Sequence, residues 1–312
     1  VTAIESRDPS TSGHSQRVAD FTVGLAKAAD RIDSGPYAQL VVSYDDLKQI
    51  EYASLLHDFG KVGVREHVLV KAEKLYPHEK ELLLARFDFA KKTLEAEHSA
   101  EKTRYLLEKS RDEALAGFPS LSADFDARLA ELDEFVTFVL QANQPTVLDQ
   151  GGFERLQDIA ARSFVDARGE TQALLSAREM TALTVKRGSL TETERVEIES
   201  HVVHTYAFLR RIPWGRMFKD IPNIAGAHHE KLDGSGYPKQ LRHEQIPVGA
   251  KMMTISDIYD ALTASDRPYK RAVPVPKALD ILGYEVKAGK CDAELLRLFI
   301  DAKIYELADK PA

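Results

Sequence analysis

The sequence predicts an all-α protein, and three observations carry that expectation. Apolar residues recur at the spacing of one helix face, beginning with Val18, Phe21, Leu25, Ala26 and Ala29 between His14 and Asp30. Helix-start signals recur along the chain: Ser176 with Glu179, and Thr191 with Glu194, both have the form of a capping box. No set of alternating strands is found, and at most a short hairpin is expected near Leu241 to Pro247.

The elements follow in order. A second helix is expected to open at Asp45-Asp46, carry Leu47 and Ile50, run through Leu55-Leu56 and stop at Gly60. Residues 77–115 are charge-dense and helix-prone, with Pro77 in the first turn. Gly117-Phe118-Pro119 reads as a turn, after which Ser122 caps a run through Phe125, Leu129, Leu132, Val136 and Val139. Asn143 to Gly152 reads as a break, so the middle of the chain resembles an antiparallel helical hairpin of the kind that packs on a partner helix. Pro222 and Pro247 sit where a first helical residue belongs, opening segments that end near His229 and Leu262. Asp292 to Leu307 reads as a last amphipathic helix.

Composition narrows the classes. The chain has 312 residues with 42 Lys+Arg against 49 Asp+Glu, a formal charge of −7, which argues against general nucleic-acid binding. No apolar run approaches the ~18 residues of a bilayer span, and the first residues do not form a signal peptide. The single cysteine, Cys291, excludes an internal disulfide framework and a thiolate-rich zinc module, and it suits a reducing cytoplasm. Val1 is not an initiator Met, so a longer chain is expected to contain this one.

One internal echo is present. VKAEKLYPHEKELLLAR (70–86) superimposes on VKRGSLTETERVEIESH (185–201) at an offset of 115, sharing Val-Lys, Leu75 with Leu190 and Glu79 with Glu194. Two amphipathic helix starts can agree by chance; alternatively, an insertion at this element left a duplicated junction. On the second reading 72–185 is an insert, and its flanks form one domain.

The residues that carry chemistry are imidazoles in carboxylate company: His57-Asp58, His201, His228-His229 and Asp257, with His14 near the start of the first helix. Imidazole and carboxylate without thiolate suit first-row divalent metals. Adjacent residues lie ~100° apart in mid-helix, but at a helix end both members of a pair can turn to one centre. A bridging carboxylate would then let two metals share the site.

Five blocks in order give a resemblance: RDPSTSGHSQRV (7–18), LLHDFGKVG (55–63), LTETERVEIESH (190–201), HHEKLDGSGYP (228–238) and ISDIYDALTASDRPYK (255–270). Together they resemble the HD-GYP family, a branch of the HD-superfamily metal-dependent phosphohydrolases. The resemblance covers residues 1–71 and 186–312 as one discontinuous domain; 72–185, a helical insert of unknown role, has no counterpart in the usual pattern.

The resemblance implies an HD-type helical bundle, from a bacterial cytoplasm, that hydrolyses cyclic di-GMP to linear pGpG and often on to GMP. It implies one metal held by His14, His57, Asp58 and Asp257, and a second held by His201, His228 and His229, with Asp58 bridging. The metals are expected to be iron, with manganese as the next choice, sharing a hydroxide that attacks the phosphodiester. Asp58 and Lys61 are the expected catalytic groups. Lys61 is also expected to meet phosphate, Arg267 and Lys270 to hold the non-reacting phosphate, and Gly234, Gly236 and Tyr237, within Asp233 to Pro238, to line the nucleotide's entry. Glu230 and Asp260 are expected to orient ligands from behind. His67, His78, His98, His204 and His243 match no ligand position. Where three-metal members carry a Glu, four residues before the first-helix His, this chain has Ser10, so two metals are expected and the case for GMP is weaker. The open alternatives are hydrolysis of another nucleotide, or a sensor or scaffold that turns the dinucleotide over poorly. A protein partner or self-association through the insert or the GYP loop is also left open.

Overall fold

In the computed structural model, which describes residues 13–264 and 272–309, burial follows the helical period of the first element. Helix α1 (His14–Ala29) buries Val18, Phe21, Leu25, Ala26 and Ala29. Helix α2 (Tyr44–Leu56) starts one residue before the acidic pair, because Ser43 and Asp46 form a reciprocal capping box. Gly60 does not end α2. Asp58 caps a 3₁₀ turn, Phe59–Gly63, and a short helix α3 (Glu66–Leu69) follows.

Next come α4 (Pro77–Glu108), α5 (Arg111–Ala142), α6 (Gln150–Ala161), strands β1 (Ser163–Val165) and β2 (Thr171–Ala173), and α7 (Ala177–Leu183). The chain continues with α8 (Glu192–Leu209), α9 (Ile221–Ala225), α10 (Val248–Thr263), α11 (Val275–Lys287) and α12 (Ala293–Asp301). It divides into two compact units: one uses the flanks, up to Val70 and from Glu194, and the other is Lys71–Thr193.

The flanking unit is helical around one core. Phe21, Tyr259 and Phe299 meet edge to face, with Phe21 and Tyr259 ring centroids 5.4 Å apart, and Leu25, Ile221, Met253 and Leu295 complete the apolar centre. Three expectations change here. The segment opened by Pro222 ends at Ala225, before the paired histidines, and Pro247 caps α10 from outside. The stretch after Leu241 holds a 3₁₀ turn (His243–Gln245) and one isolated bridge, Asp233 to Arg242, in place of a hairpin. The last helix stops at Asp301, Lys303 turns to φ 51°, and a separate 3₁₀ segment follows from Ile304.

The other unit pairs α4 with α5 over Leu83, Phe87, Phe135, Val139, Leu156 and Leu183. The turn between them is at Lys109-Ser110, well ahead of Gly117-Phe118-Pro119. Ser110 and Glu113 form a full capping box, so α5 starts there and runs through Pro119. A strong cap thus outweighs a proline, which costs the helix one amide donor. Ser122 caps nothing. The hairpin among the described residues is β1–β2, with Phe164 opposite Gln172.

Asn143 closes the base of this unit: its side-chain oxygen accepts from the Leu75 amide at 2.7 Å, and its amide nitrogen donates to Glu73 at 2.6 Å. The echo has a structural side. Pro77 and Glu192 both begin helices, and both are positions of the echoed segment. At the end of the echo, the residue that aligns in sequence with His201 is Arg86, which pairs with Glu179 at 2.6 Å.

Candidate metal centre

Each element brings its chemistry-bearing residue to one place in the flanking unit. His14 is the first residue of α1, His57 closes α2, and Asp58 opens the 3₁₀ turn, so the pair sits at a helix end where both members face inward. His201 lies midway along α8, His228-His229 follow α9, and Asp257 lies on α10. Ligand atoms of His14, His57 and Asp58, of His57, His228 and Asp257, and of His201, His228 and His229 form three overlapping groups, each within 4.8 Å.

Asp58 joins these groups. Its Oδ2 lies 3.7 Å from His14 Nε2, 3.5 Å from His57 Nε2 and 2.8 Å from Lys61 Nζ. Its Oδ1 faces the other way, 3.3 Å from His201 Nε2. Asp257 Oδ1 lies 3.3 Å from His14 Nε2.

The imidazoles are oriented by their far nitrogens. Nδ1 of His57, His201 and His228 lies 2.6, 2.6 and 2.7 Å from the carbonyls of Ser54, Ile198 and Ala225. That contact puts the proton on Nδ1 and leaves a lone pair on Nε2. Those three Nε2 atoms are buried and have no hydrogen-bond partner. A buried polar atom without a partner is costly, and a metal ion is the group that three converging lone pairs suit.

His14 differs, because its Nδ1 meets Asp260 Oδ2 at 2.7 Å. Arg17 grips the same carboxylate with Nε at 2.6 Å and Nη2 at 3.0 Å.

Electrostatics fit the same group. Burial holds the imidazoles of His57 and His228 below their ordinary range, and it brings His229 to about 3, so these rings are neutral donors of electron pairs. Burial pushes Asp58 up, but the Lys61 ammonium and the imidazoles outweigh it and keep the carboxyl ionised. His14 is raised to about 9: burial opposes the charge, yet Asp257 and Asp260 overcome it. The field at this point therefore favours a cation.

Three contacts were not legible as site features. Thr205 donates to the His57 carbonyl at 2.9 Å and accepts from the Gly60 amide at 2.8 Å, tying α8 to the turn after His57-Asp58. Gly60 lets that happen: a Cβ there would lie 2.6 Å from the Thr205 nitrogen and 2.8 Å from the His201 carbonyl carbon. Thr254 donates to the His228 carbonyl at 2.7 Å. Arg17 gave one signal, being one helical turn from His14. Asp260 stands behind His14, at 2.7 Å from its Nδ1. Glu230 does not; it accepts from the amides of Lys239 and Leu241 at 2.7 and 2.8 Å and holds the following loop.

In that loop Gly234 adopts φ +83°, and Tyr237-Pro238 is cis. Gly236 presses on the preceding backbone, where a Cβ would meet Glu230 Cα and the His229 carbonyl oxygen, both at 2.5 Å. The Tyr237 ring lies 4.8 Å from that of His229, and burial raises its hydroxyl pKa, so it stays a donor. Arg267, Lys270 and Ser10 lie outside the described residues.

Comparison with known proteins now bears on this geometry. The family described as "HD domain" matches over residues 176–295, a stretch that holds His201, His228, His229 and Asp257. A "3'3'-cGAMP-specific phosphodiesterase 3" of Vibrio cholerae serotype O1 is 41% identical over 101 residues, 32% of this chain and 21% of its own length. A "Cyclic di-GMP phosphodiesterase" of the same organism is 29% identical over 197 residues, covering 59% of this chain and 38% of its own. The "Cyclic di-GMP phosphodiesterase response regulator RpfG" of Xanthomonas campestris pv. campestris is 38% identical over 101 residues, 32% and 26% of the two chains.

The match to the HD domain, with relatives named as cyclic di-GMP and 3'3'-cGAMP phosphodiesterases, supports the resemblance to the HD-GYP family. The chain spans well under half the length of these curated relatives. HD domains depend on metal, and the cluster around Asp58 is where this chain could hold it. No helix among the described residues is long and apolar enough to cross a membrane.

Proposed function

We propose that this chain is a metal-dependent phosphodiesterase that opens a cyclic dinucleotide, with cyclic di-GMP as its substrate and linear pGpG as the first product. The observation that carries the reading is the set of three buried, unpartnered Nε2 atoms, of which those of His57 and His201 lie at opposite oxygens of the Asp58 carboxylate and that of His228 lies within reach of both rings. His14, His57, Asp58 and Asp257 would hold one cation, and His201, His228 and His229 the other, with Asp58 common to both. A bound pair, iron before manganese, would supply Lewis-acid polarisation of the phosphodiester and a nucleophile near neutral pH.

The chain's own residues do the rest. Lys61 keeps Asp58 ionised from 2.8 Å and brings positive charge to where a phosphate oxygen gathers charge. Tyr237, protonated and packed beside His229, offers a hydroxyl hydrogen or a ring face to the nucleotide. Glu230 keeps the loop carrying Gly234, Gly236 and Tyr237 closed against the His228-His229 turn. Arg267 and Lys270 are proposed to hold the second phosphate.

A second reading, 3'3'-cGAMP as substrate, is favoured by the relative that is 41% identical over 101 residues and named for that dinucleotide. Chromatography of iron- or manganese-loaded protein incubated with cyclic di-GMP, 3'3'-cGAMP or cyclic di-AMP separates the readings. Linear pGpG formed fastest supports the proposal; linear product from cGAMP alone supports the second reading. Binding without any linear product, at full metal content, overturns both.

A further inference from the structure

Helix α4 carries two apolar faces. One, with Leu83, Phe87, Ala90 and Leu94, is buried within the Lys71–Thr193 unit. The other is open: Leu82, Phe89, Leu106 and Leu107 are 63%, 42%, 54% and 81% exposed. Between them the same stripe carries small exposed residues, among them Ala96, Ser99 and Ala100. The stripe recurs every three or four residues along ~38 Å of helix, at 1.5 Å per residue. That is the spacing of a coiled-coil seam, a face that another helix covers. At its edge Phe89 meets Phe164 of β1, with ring centroids 5.8 Å apart.

The charges beside the stripe identify the partner. Along one flank stand Glu81, Asp88, Glu95, Lys102 and Lys109, each a heptad after the last. Acids come first and bases last, so this flank runs from negative to positive along the helix. Such a flank complements itself when the helix is reversed. In an antiparallel pair Glu81 faces Lys109 of the second copy and Asp88 faces its Lys102, and the two-fold axis repeats both contacts. The same register sets Leu82 against Leu106, and Phe89 against the smaller Ser99 and Ala100. Glu95 falls on the axis beside its own copy, where Lys92, 2.6 Å from it, offsets the like charge. A parallel pair sets Asp88 against Thr93 and Lys102 against Leu107, and loses the match.

We propose that the open face of α4 is a self-association surface, on which a second copy of this chain lays its own α4 antiparallel. Burial of Leu82, Phe89, Leu106 and Leu107 drives the pairing. The flanking charges fix its direction and register. A stripe one helix wide falls short of the area of a permanent dimer, so the equilibrium is reversible and depends on concentration. The face lies wholly within one unit, and it rests neither on metal nor on the phosphodiesterase reading.

Sedimentation velocity of the full chain, at about 1–100 µM, reads the equilibrium. A monomer–dimer equilibrium is expected, weaker in high salt because the flanking charges are screened. Two variants test the register. Glu81→Lys with Asp88→Lys, and separately Lys102→Glu with Lys109→Glu, each place like charges across the pair. Either should weaken self-association about tenfold or more, with unchanged helical circular dichroism. An equimolar mixture of the two variants restores every opposite-charge contact between unlike chains, so it should form a heterodimer as tightly as the original chain pairs with itself. A chain that stays monomeric over this range leaves the face to a different partner and overturns the proposal. So does a dimer indifferent to both variants, or a mixture that fails to associate.

Discussion

Replacing Gly60 by Ala tests how the two halves of the proposed metal centre are held together. A Cβ at this position would lie 2.6 Å from the Thr205 nitrogen and 2.8 Å from the His201 carbonyl carbon, with the His201 carbonyl oxygen closer still. These are backbone atoms in the middle of α8, so no side chain can swing aside. The helix or the 3₁₀ turn must retreat by roughly 1 Å to restore van der Waals contact. Overpacking of this kind costs about 1–3 kcal/mol. The same retreat stretches the bonds through Thr205 to the Gly60 amide and the His57 carbonyl, now 2.8 and 2.9 Å. Weakening that pair adds about 1 kcal/mol. A total near 3 kcal/mol corresponds to a melting temperature lowered by roughly 6–12 °C for a unit of this size.

The displacement also moves His201 away from Asp58 Oδ1, at present 3.3 Å from its Nε2. Two measurements follow: thermal unfolding by circular dichroism in chelator, and metal content by elemental analysis after dialysis. The variant should melt lower and retain less of the metal assigned to His201, His228 and His229. Unchanged melting together with full metal content would refute the reasoning, since it would show that α8 tolerates the methyl group without moving.

Other outcomes are expected of the same centre and its surroundings. Asp58→Ala removes the carboxylate that faces both ligand groups and should lower both metals together in elemental analysis, whereas His201→Ala should chiefly empty one position; full occupancy in Asp58→Ala contradicts the shared assignment. Glu230→Gln weakens the two amide bonds that hold the loop, by about 1–2 kcal/mol in total, and should speed hydrogen exchange at Lys239 and Leu241 while α10 amides stay protected. Joining Lys71 to Lys186 through a short Gly/Ser linker should leave a helical protein that still binds metal; a folded product without metal rejects the proposal that 72–185 is an insert supplying no ligand.

Much of the candidate site was legible because residue types able to bind metal are scarce and stand here in recognisable company. His14, His57-Asp58, His201, His228-His229 and Asp257 stand out by chemistry and motif, and all seven meet in one cluster. Helical period likewise exposed the buried face of α1, because the same apolar residues both set the period and fill the core. Less was legible where a local signal has two meanings. Gly60 looked like a helix stop; its role is close approach to α8, which depends on a residue far along the chain. Pro119 looked like a turn, but the Ser110–Glu113 box had already begun the helix.

By itself the sequence determined the helical class, the family resemblance and the set of side chains that could bind metal, since these rest on residue type, short-range period and motif. Only the tertiary structure decided which oxygen of Asp58 faces which imidazoles, and which Nε2 atoms lack a partner. It alone revealed the Arg17 grip on Asp260 and the Thr205 tie between α8 and the turn after Asp58. Each of these depends on distances between segments remote in the chain. Hydrogen bonds and close contacts are set within tenths of an ångström, and no spacing along one strand of sequence encodes that.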